Sequence, residues 1–134
     1  MELKELLDLV AKERASDLIL TAGAPPVLRV DGELRGTGHG PLTAEQTRGL
    51  LYGILKKDQI ARFESEKELD FSLAHSRKER FRVNVYLQKE AVTAAFRPIP
   101  EAVPSLKELG LPEDIGKLAL VKQGLVLVTG PTGH

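Results

Sequence analysis

The sequence predicts an α+β fold, an antiparallel sheet with flanking helices, and three observations carry that prediction. Between Leu69 and Phe96 apolar residues recur at every second position, the period of strands with one buried face. Leu3, Leu6, Leu7 and Val10 recur at i, i+3, i+4 and i+7, the period of a helix with one buried face. Residues 125–128, Leu-Val-Leu-Val, show no polar alternation, as in a strand covered on both faces within a parallel sheet. The pattern therefore changes near Lys122, and a domain boundary is expected within residues 102–123.

In chain order, the first helix carries Lys4, Glu5, Asp8 and Lys12 on its polar side and is expected to end near Ser16. Leu18-Ile19-Leu20 is a short strand, stopped by Gly23-Ala24-Pro25-Pro26. Residues 27–33 are a second strand candidate, and Asp31-Gly32 tolerates the positive φ of a tight hairpin turn. The glycines of residues 36–41 form a plain loop, since no lysine or serine follows at phosphate-loop spacing. Thr43 and Gln46 form a capping box that opens a helix with Leu50, Leu51, Ile54 and Leu55 as its buried stripe. Asp58 is expected to cap a further short helix carrying Ile60, Ala61 and Phe63.

Leu69, Phe71 and Leu73 then share one face of a strand, and Ser76-Arg77-Lys78-Glu79 is the turn after it. The clearest alternation follows, with Phe81, Val83, Val85 and Leu87 against Arg80, Arg82, Asn84, Tyr86 and Gln88. Val92, Ala94 and Phe96 continue the inward face on a returning strand that Pro98 and Pro100 are expected to stop. Ser105 and Glu108 form another capping box, and Pro112 suits the first position of a helix carrying Ile115, Leu118 and Ala119.

At 134 residues with 42% hydrophobic content, the chain suffices for one compact domain with a core. Lysine plus arginine and aspartate plus glutamate each total 19, so the electrostatic footprint of a nucleic-acid binder is missing and no nucleic-acid partner is expected. The absence of cysteine excludes disulfides and thiolate metal sites and suits a reducing cytosol. His39, His75 and His134 are scattered without ligand spacing, so no metal site is expected. The acidic start lacks a secretory pattern, and the apolar runs fall far short of the roughly 20 residues needed to cross a bilayer, so no membrane insertion is expected.

If Lys89-Glu90 is a two-residue turn, the register of the long hairpin follows. Leu87 then opposes Val92, Val85 opposes Ala94, Val83 opposes Phe96, and Arg82 opposes Arg97. Like charges directly across a strand pair are unfavourable, so a bridging phosphate or carboxylate would explain the arrangement. A solvated face with two ordinary surface arginines explains it as well. At the other end of the chain, Gly130-Pro131-Thr132-Gly133 directly after the apolar run is how a phosphate loop can begin, or an ordinary turn.

Four blocks set these fragments in a wider pattern. Residues 15–23 (Ala-Ser-Asp-Leu-Ile-Leu-Thr-Ala-Gly), 25–32 (Pro-Pro-Val-Leu-Arg-Val-Asp-Gly), 80–84 (Arg-Phe-Arg-Val-Asn) and 124–133 (Gly-Leu-Val-Leu-Val-Thr-Gly-Pro-Thr-Gly) resemble the PilT family of type IV pilus retraction ATPases, within the type II/IV secretion ATPase superfamily. The resemblance runs in order over essentially the whole chain.

It implies a hexameric, cytoplasmic, ATP-driven motor that acts at the inner membrane through the pilus machinery, with an inner-membrane platform protein as partner. Residues 1–101 would be its PAS-like N-terminal domain, residues 102–123 a linker with short helices, and residues 124–134 the first strand and truncated Walker A motif of a RecA-like domain. In the family the N-terminal domain packs on the nucleotide site of a neighbouring subunit, and its arginines approach the phosphates. The matching positions are Arg82 and Arg97, as transition-state charge stabilisers in the intact oligomer. Gly130, Pro131, Thr132 and Gly133 would belong to the nucleotide cradle.

ATP and Mg²⁺ are implied for the full-length protein and none for this fragment. The fragment is not expected to hydrolyse ATP alone, because the Walker A lysine and the Walker B acids are absent from it. Two departures stand out. Ile19 occupies a position where the family commonly has histidine, and His134 replaces a small residue, which reads as the start of a purification tag. Two alternatives of other classes are a ligand-sensing PAS-like module and a purely structural interaction domain.

Overall fold

In a computed structural model, which describes residues 2–76, 79–100 and 102–130, the predicted apolar positions of the first helix are the buried stripe of α1 (Leu3–Lys12). The helix ends at Lys12 rather than near Ser16. Arg14 takes a left-handed conformation (φ 51°), and the N–H groups of Ala15 and Arg14 turn back to the carbonyls of Val10 and Ala11. That closure satisfies carbonyls the last turn would otherwise leave open. β1 (Asp17–Leu20) follows, then the predicted hairpin of β2 (Val27–Val30) and β3 (Glu33–Gly36). Asp31 and Gly32 both have positive φ, as that tight turn requires.

α2 (Ala44–Tyr52) starts at the predicted capping box, with the Gln46 N–H on Thr43 Oγ1 at 3.1 Å and the Thr43 N–H on Gln46 Oε1 at 2.9 Å. Its buried stripe differs from the predicted one. Thr47 and Leu51 face the core, Leu50 is half-buried, and the helix ends before Ile54 and Leu55. α3 (Lys57–Glu66) is capped by Lys56 rather than Asp58, whose place is the first turn, where the helix dipole favours an acid. Phe63 is buried there, and Ala61 is exposed.

β4 (Glu68–Ala74), β5 (Arg80–Gln88) and β6 (Ala91–Ile99) form an antiparallel meander. Lys89 and Glu90 make the two-residue turn with φ of 48° and 62°, and the register is the predicted one, including Arg82 opposite Arg97. Neither residue favours positive φ; the nine cross-strand pairs beyond the turn hold it closed. β6 runs through Pro98 and ends at Ile99, directly before Pro100. β1 pairs with β6 only at Ala94, Ala95 and Phe96, so Pro98 borders an open edge where a missing N–H removes no sheet bond.

The six strands lie in the order β3-β2-β1-β6-β5-β4, which is two meanders joined where β1 meets β6. One face of this sheet carries Leu18, Leu20, Leu28, Phe81, Val83, Val85, Val92, Ala94 and Phe96, which form a single core with the apolar stripes of α1, α2 and α3. The opposite face carries Asp17, Asp70, Arg82, Asn84, Ala95 and Arg97.

Beyond β6 the Ser105–Glu108 capping box forms as predicted. α4 (Ile115–Leu118) is a single turn that starts from Asp114 rather than Pro112. Among residues 102–130 only Leu106 and Gly116 are even half-buried. Residues 125–128 form no strand in this chain, and Leu125 and Val128 are 82% and 95% exposed. A strand of that type needs neighbours on both edges and cover on both faces, and no other described residue supplies them. Pro131, Thr132, Gly133 and His134 lie outside the described residues, as do Arg77 and Lys78 of the turn before β5. No helix among the described residues is long and apolar enough to cross a membrane.

Candidate functional site

The long hairpin sets Arg82 and Arg97 side by side on the sheet face turned away from the helices. Each has an acid of its own. Arg97 donates from both Nε and Nη2 to Asp17 Oδ1, at 3.0 and 2.8 Å. The Asp17 side chain is 8% exposed, and its other oxygen accepts from Ser16 Oγ at 3.0 Å and faces Arg29 Nε at 3.4 Å. A buried carboxylate is thus matched by two guanidinium groups and a hydroxyl, the pairing such a charge needs to remain buried.

Arg82 is held differently. Its Nε lies 3.6 Å from Asp70 Oδ1, a looser contact, and its side chain is 71% exposed. Asn84 is turned towards Glu68, with Nδ2 donating to Oε1 at 3.1 Å. These residues, with Ala95, line a shallow depression of about 400 Å³. Its lining holds three acids (Asp17, Glu68, Asp70) against two arginines, so within this chain the repulsion between Arg82 and Arg97 is offset without an outside anion. The two arginines therefore differ in chemical availability: Arg97 is held by two hydrogen bonds to the buried Asp17 carboxylate, and Arg82 is an exposed cation on a long arm.

At the other predicted site, a Cβ placed on Gly130 would meet nothing within 4 Å. Pro131, Thr132 and Gly133 fall outside the described residues. The structure also assembles a set that spacing could not reveal, Asp8, His75 and Glu79, whose ligand atoms lie within 4.8 Å of one another. Asp8 and His75 are 67 residues apart, so only the packing of α1 against the end of β4 shows it.

No family model matches the chain. A Pseudomonas aeruginosa protein named as the type IV pilus retractation ATPase PilT is 45% identical over 133 residues, which is 99% of this chain. The chain is similar to PilT along nearly its whole length. The PilT relative is matched over 39% of its own length, and the type IV pilus ATPase PilU of the same organism, 39% identical, over 35%.

A solved structure of the pilus retraction motor PilT with bound ADP superposes with a TM-score of 0.77 at 39% identity, over 99% of this chain and 39% of that one. The Legionella pneumophila ATPase DotB superposes at 0.75 with 26% identity, over 98% of this chain and 38% of its own. The antiparallel sheet and helices described above are thus shared with PilT, and the chain spans about two fifths of the PilT relatives it matches.

Proposed function

We propose that this chain is the N-terminal domain of a hexameric, ATP-driven motor that retracts type IV pili, and that it packs on the nucleotide site of the neighbouring subunit. The identity to PilT along nearly the whole chain is the observation that supports this reading. In it, residues 1–101 are a PAS-like domain, residues 102–123 a linker, and residues 124–134 the first strand and front of the Walker A motif of a RecA-like domain. The exposed apolar side chains at 125–128 then await the remainder of a parallel sheet. The motor would work in the cytoplasm against a platform protein of the inner membrane.

In this reading ATP and Mg²⁺ belong to the full-length protein. In this sequence Gly130-Pro131-Thr132-Gly133 is followed by His134, so the lysine and hydroxyl of a complete phosphate loop are not in it. No step of hydrolysis is assigned to it. What the chain itself supplies is a pair of cations. Presented to a neighbouring nucleotide, Arg82 and Arg97 would offset charge that spreads over the phosphoryl oxygens. Arg82, loosely held by Asp70, is the arm able to turn towards a phosphate, and Arg97 is kept in place by Asp17.

The test is steady-state ATP turnover of the full-length protein with Arg82→Ala and Arg97→Ala, alongside its assembly state. Loss of about a hundredfold or more in turnover by Arg82→Ala, with the hexamer intact, is the expected outcome. An assembled Arg82→Ala hexamer with unchanged turnover overturns the arginine's role. For Arg97 the fork on buried Asp17 favours a second reading, a purely structural tie within the domain. In that case Arg97→Ala lowers stability and turnover in proportion.

A further inference from the structure

We propose that Asp8, His75 and Glu79 form a zinc site that ties α1 to the turn between β4 and β5. The three ligand atoms already lie within 4.8 Å of one another, and His75 Nε2 is 2.6 Å from Asp8 Oδ1. Zinc is bound by imidazole nitrogen and carboxylate oxygen at about 2.0–2.2 Å, which puts tetrahedral ligands roughly 3.4 Å apart. The close pair must open by somewhat under about 1 Å, and the longer separations close by at most about 1.4 Å. Asp8 sits on the exposed side of α1, where such a movement meets little resistance.

The two ligands from the turn are pre-positioned. The His75 N–H donates to the Glu79 carbonyl at 2.9 Å, which fixes the two residues at the mouth of the turn. The His75 side chain is only 7% exposed, and its ring meets Phe81 edge to face with centroids 6.0 Å apart, so the direction of Nε2 is set by packing. Ser76 Oγ donates to Glu79 Oε2 at 3.1 Å and orients that carboxylate, the kind of outer-shell hydrogen bond that metal ligands carry.

The charge balance points the same way. The ring Nε2 of His75 faces Asp8, and Glu79 adds a second carboxylate beside the same imidazole. A divalent cation offsets both acids, and the nitrogen donor selects zinc over magnesium or calcium, which prefer all-oxygen shells. Three protein ligands leave a fourth position for water.

The experiment uses the 134-residue chain, freed of metal by a chelator and titrated with zinc chloride while thermal unfolding is followed by circular dichroism. Zinc at about a hundredfold above its Kd should raise Tm by about 10 °C. Cobalt in its place should give the visible absorption of a tetrahedral nitrogen-and-oxygen site. His75→Gln and Glu79→Gln should abolish both signals. If His75→Gln does not fold, Glu79→Gln carries the test, because it leaves the packing of His75 on Phe81 untouched. The proposal is overturned if zinc gives no stabilisation, if the effect persists in both variants, which would place the ion at His39 or His134, or if magnesium stabilises equally.

Discussion

The sheet with its helices and the segment that follows it use the same residues to opposite effect. Val83 and Val85 are fully buried, whereas Leu127 and Val128 are 74% and 95% exposed, although all four belong to valine- and leucine-rich stretches. The difference lies in the alternation. Residues 80–88 interleave polar positions, so one face can enter a core and the other can meet water within one chain. Residues 125–128 have no polar face to offer, and a strand of that composition acquires structure only from neighbours on every side. A hydrophobic run is thus a statement about what must surround it.

The largest expected effect tests this contrast directly. Phe96→Ala should destabilise the chain by about 3–5 kcal/mol in urea unfolding, because it empties a site that is closed on all sides. Leu127→Ala should change stability by less than about 0.5 kcal/mol in the same measurement. A comparable loss for Leu127→Ala would mean that the segment packs on the sheet after all.

The second test applies the same logic to charge. Arg97→Ala leaves the buried Asp17 carboxylate with only Arg29 and Ser16 and should cost about 1–2 kcal/mol. Arg82→Ala removes an exposed contact and should stay within about 0.5 kcal/mol. Equal losses would erase the distinction between the fixed and the available arginine.

The smallest effect belongs to the segment beyond the sheet. The hydroxyl and then the backbone N–H of Ser105 hold the Glu108 carboxyl below its ordinary range. Its folded-state value being depressed, the stabilisation is complete above the ordinary carboxylate range and is lost as pH falls through the lowered value. Carbon-13 titration of the Glu108 carboxyl should show the depressed midpoint, and Ser105→Ala, which removes the hydroxyl but keeps the backbone N–H, should raise it part of the way back.

Much of the fold is legible in the sequence because its determinants are local. A two-residue turn at Lys89-Glu90 is enough to number every pair of the long hairpin, and the capping boxes at Thr43 and Ser105 announce themselves by spacing. What escaped depends on elements distant in the chain. Nothing near Arg97 in sequence says that Asp17 will sit beside it, because that contact exists only once β1 docks on β6. The acid that answers the apposed arginines is therefore invisible in the sequence, which leaves a bridging anion and a solvated face as equal readings. The sequence spacing of the histidines hides His75 as a ligand for the same reason, its partner Asp8 lying on a helix at the start of the chain. The misplaced cap of α3 is of another kind: Lys56 has no capping oxygen, and the Gln59 side chain does the work by reaching back to the Lys56 N–H.

The joint between the two meanders carries a consequence for how the chain finds its shape. Each meander closes through neighbours in sequence, yet the two halves are stitched by three residue pairs, Leu18 with Phe96, Ile19 with Ala95 and Leu20 with Ala94. The cost of closing a loop grows with its length, so the entropy of long-range ordering is concentrated in that narrow seam rather than spread over the sheet. The Asp17–Arg97 ion pair, with partners 80 residues apart, lies at its end. It closes the seam between two meanders that each pair only neighbouring strands, so the topology asks for one long-range strand pairing where a six-stranded sheet could have asked for five.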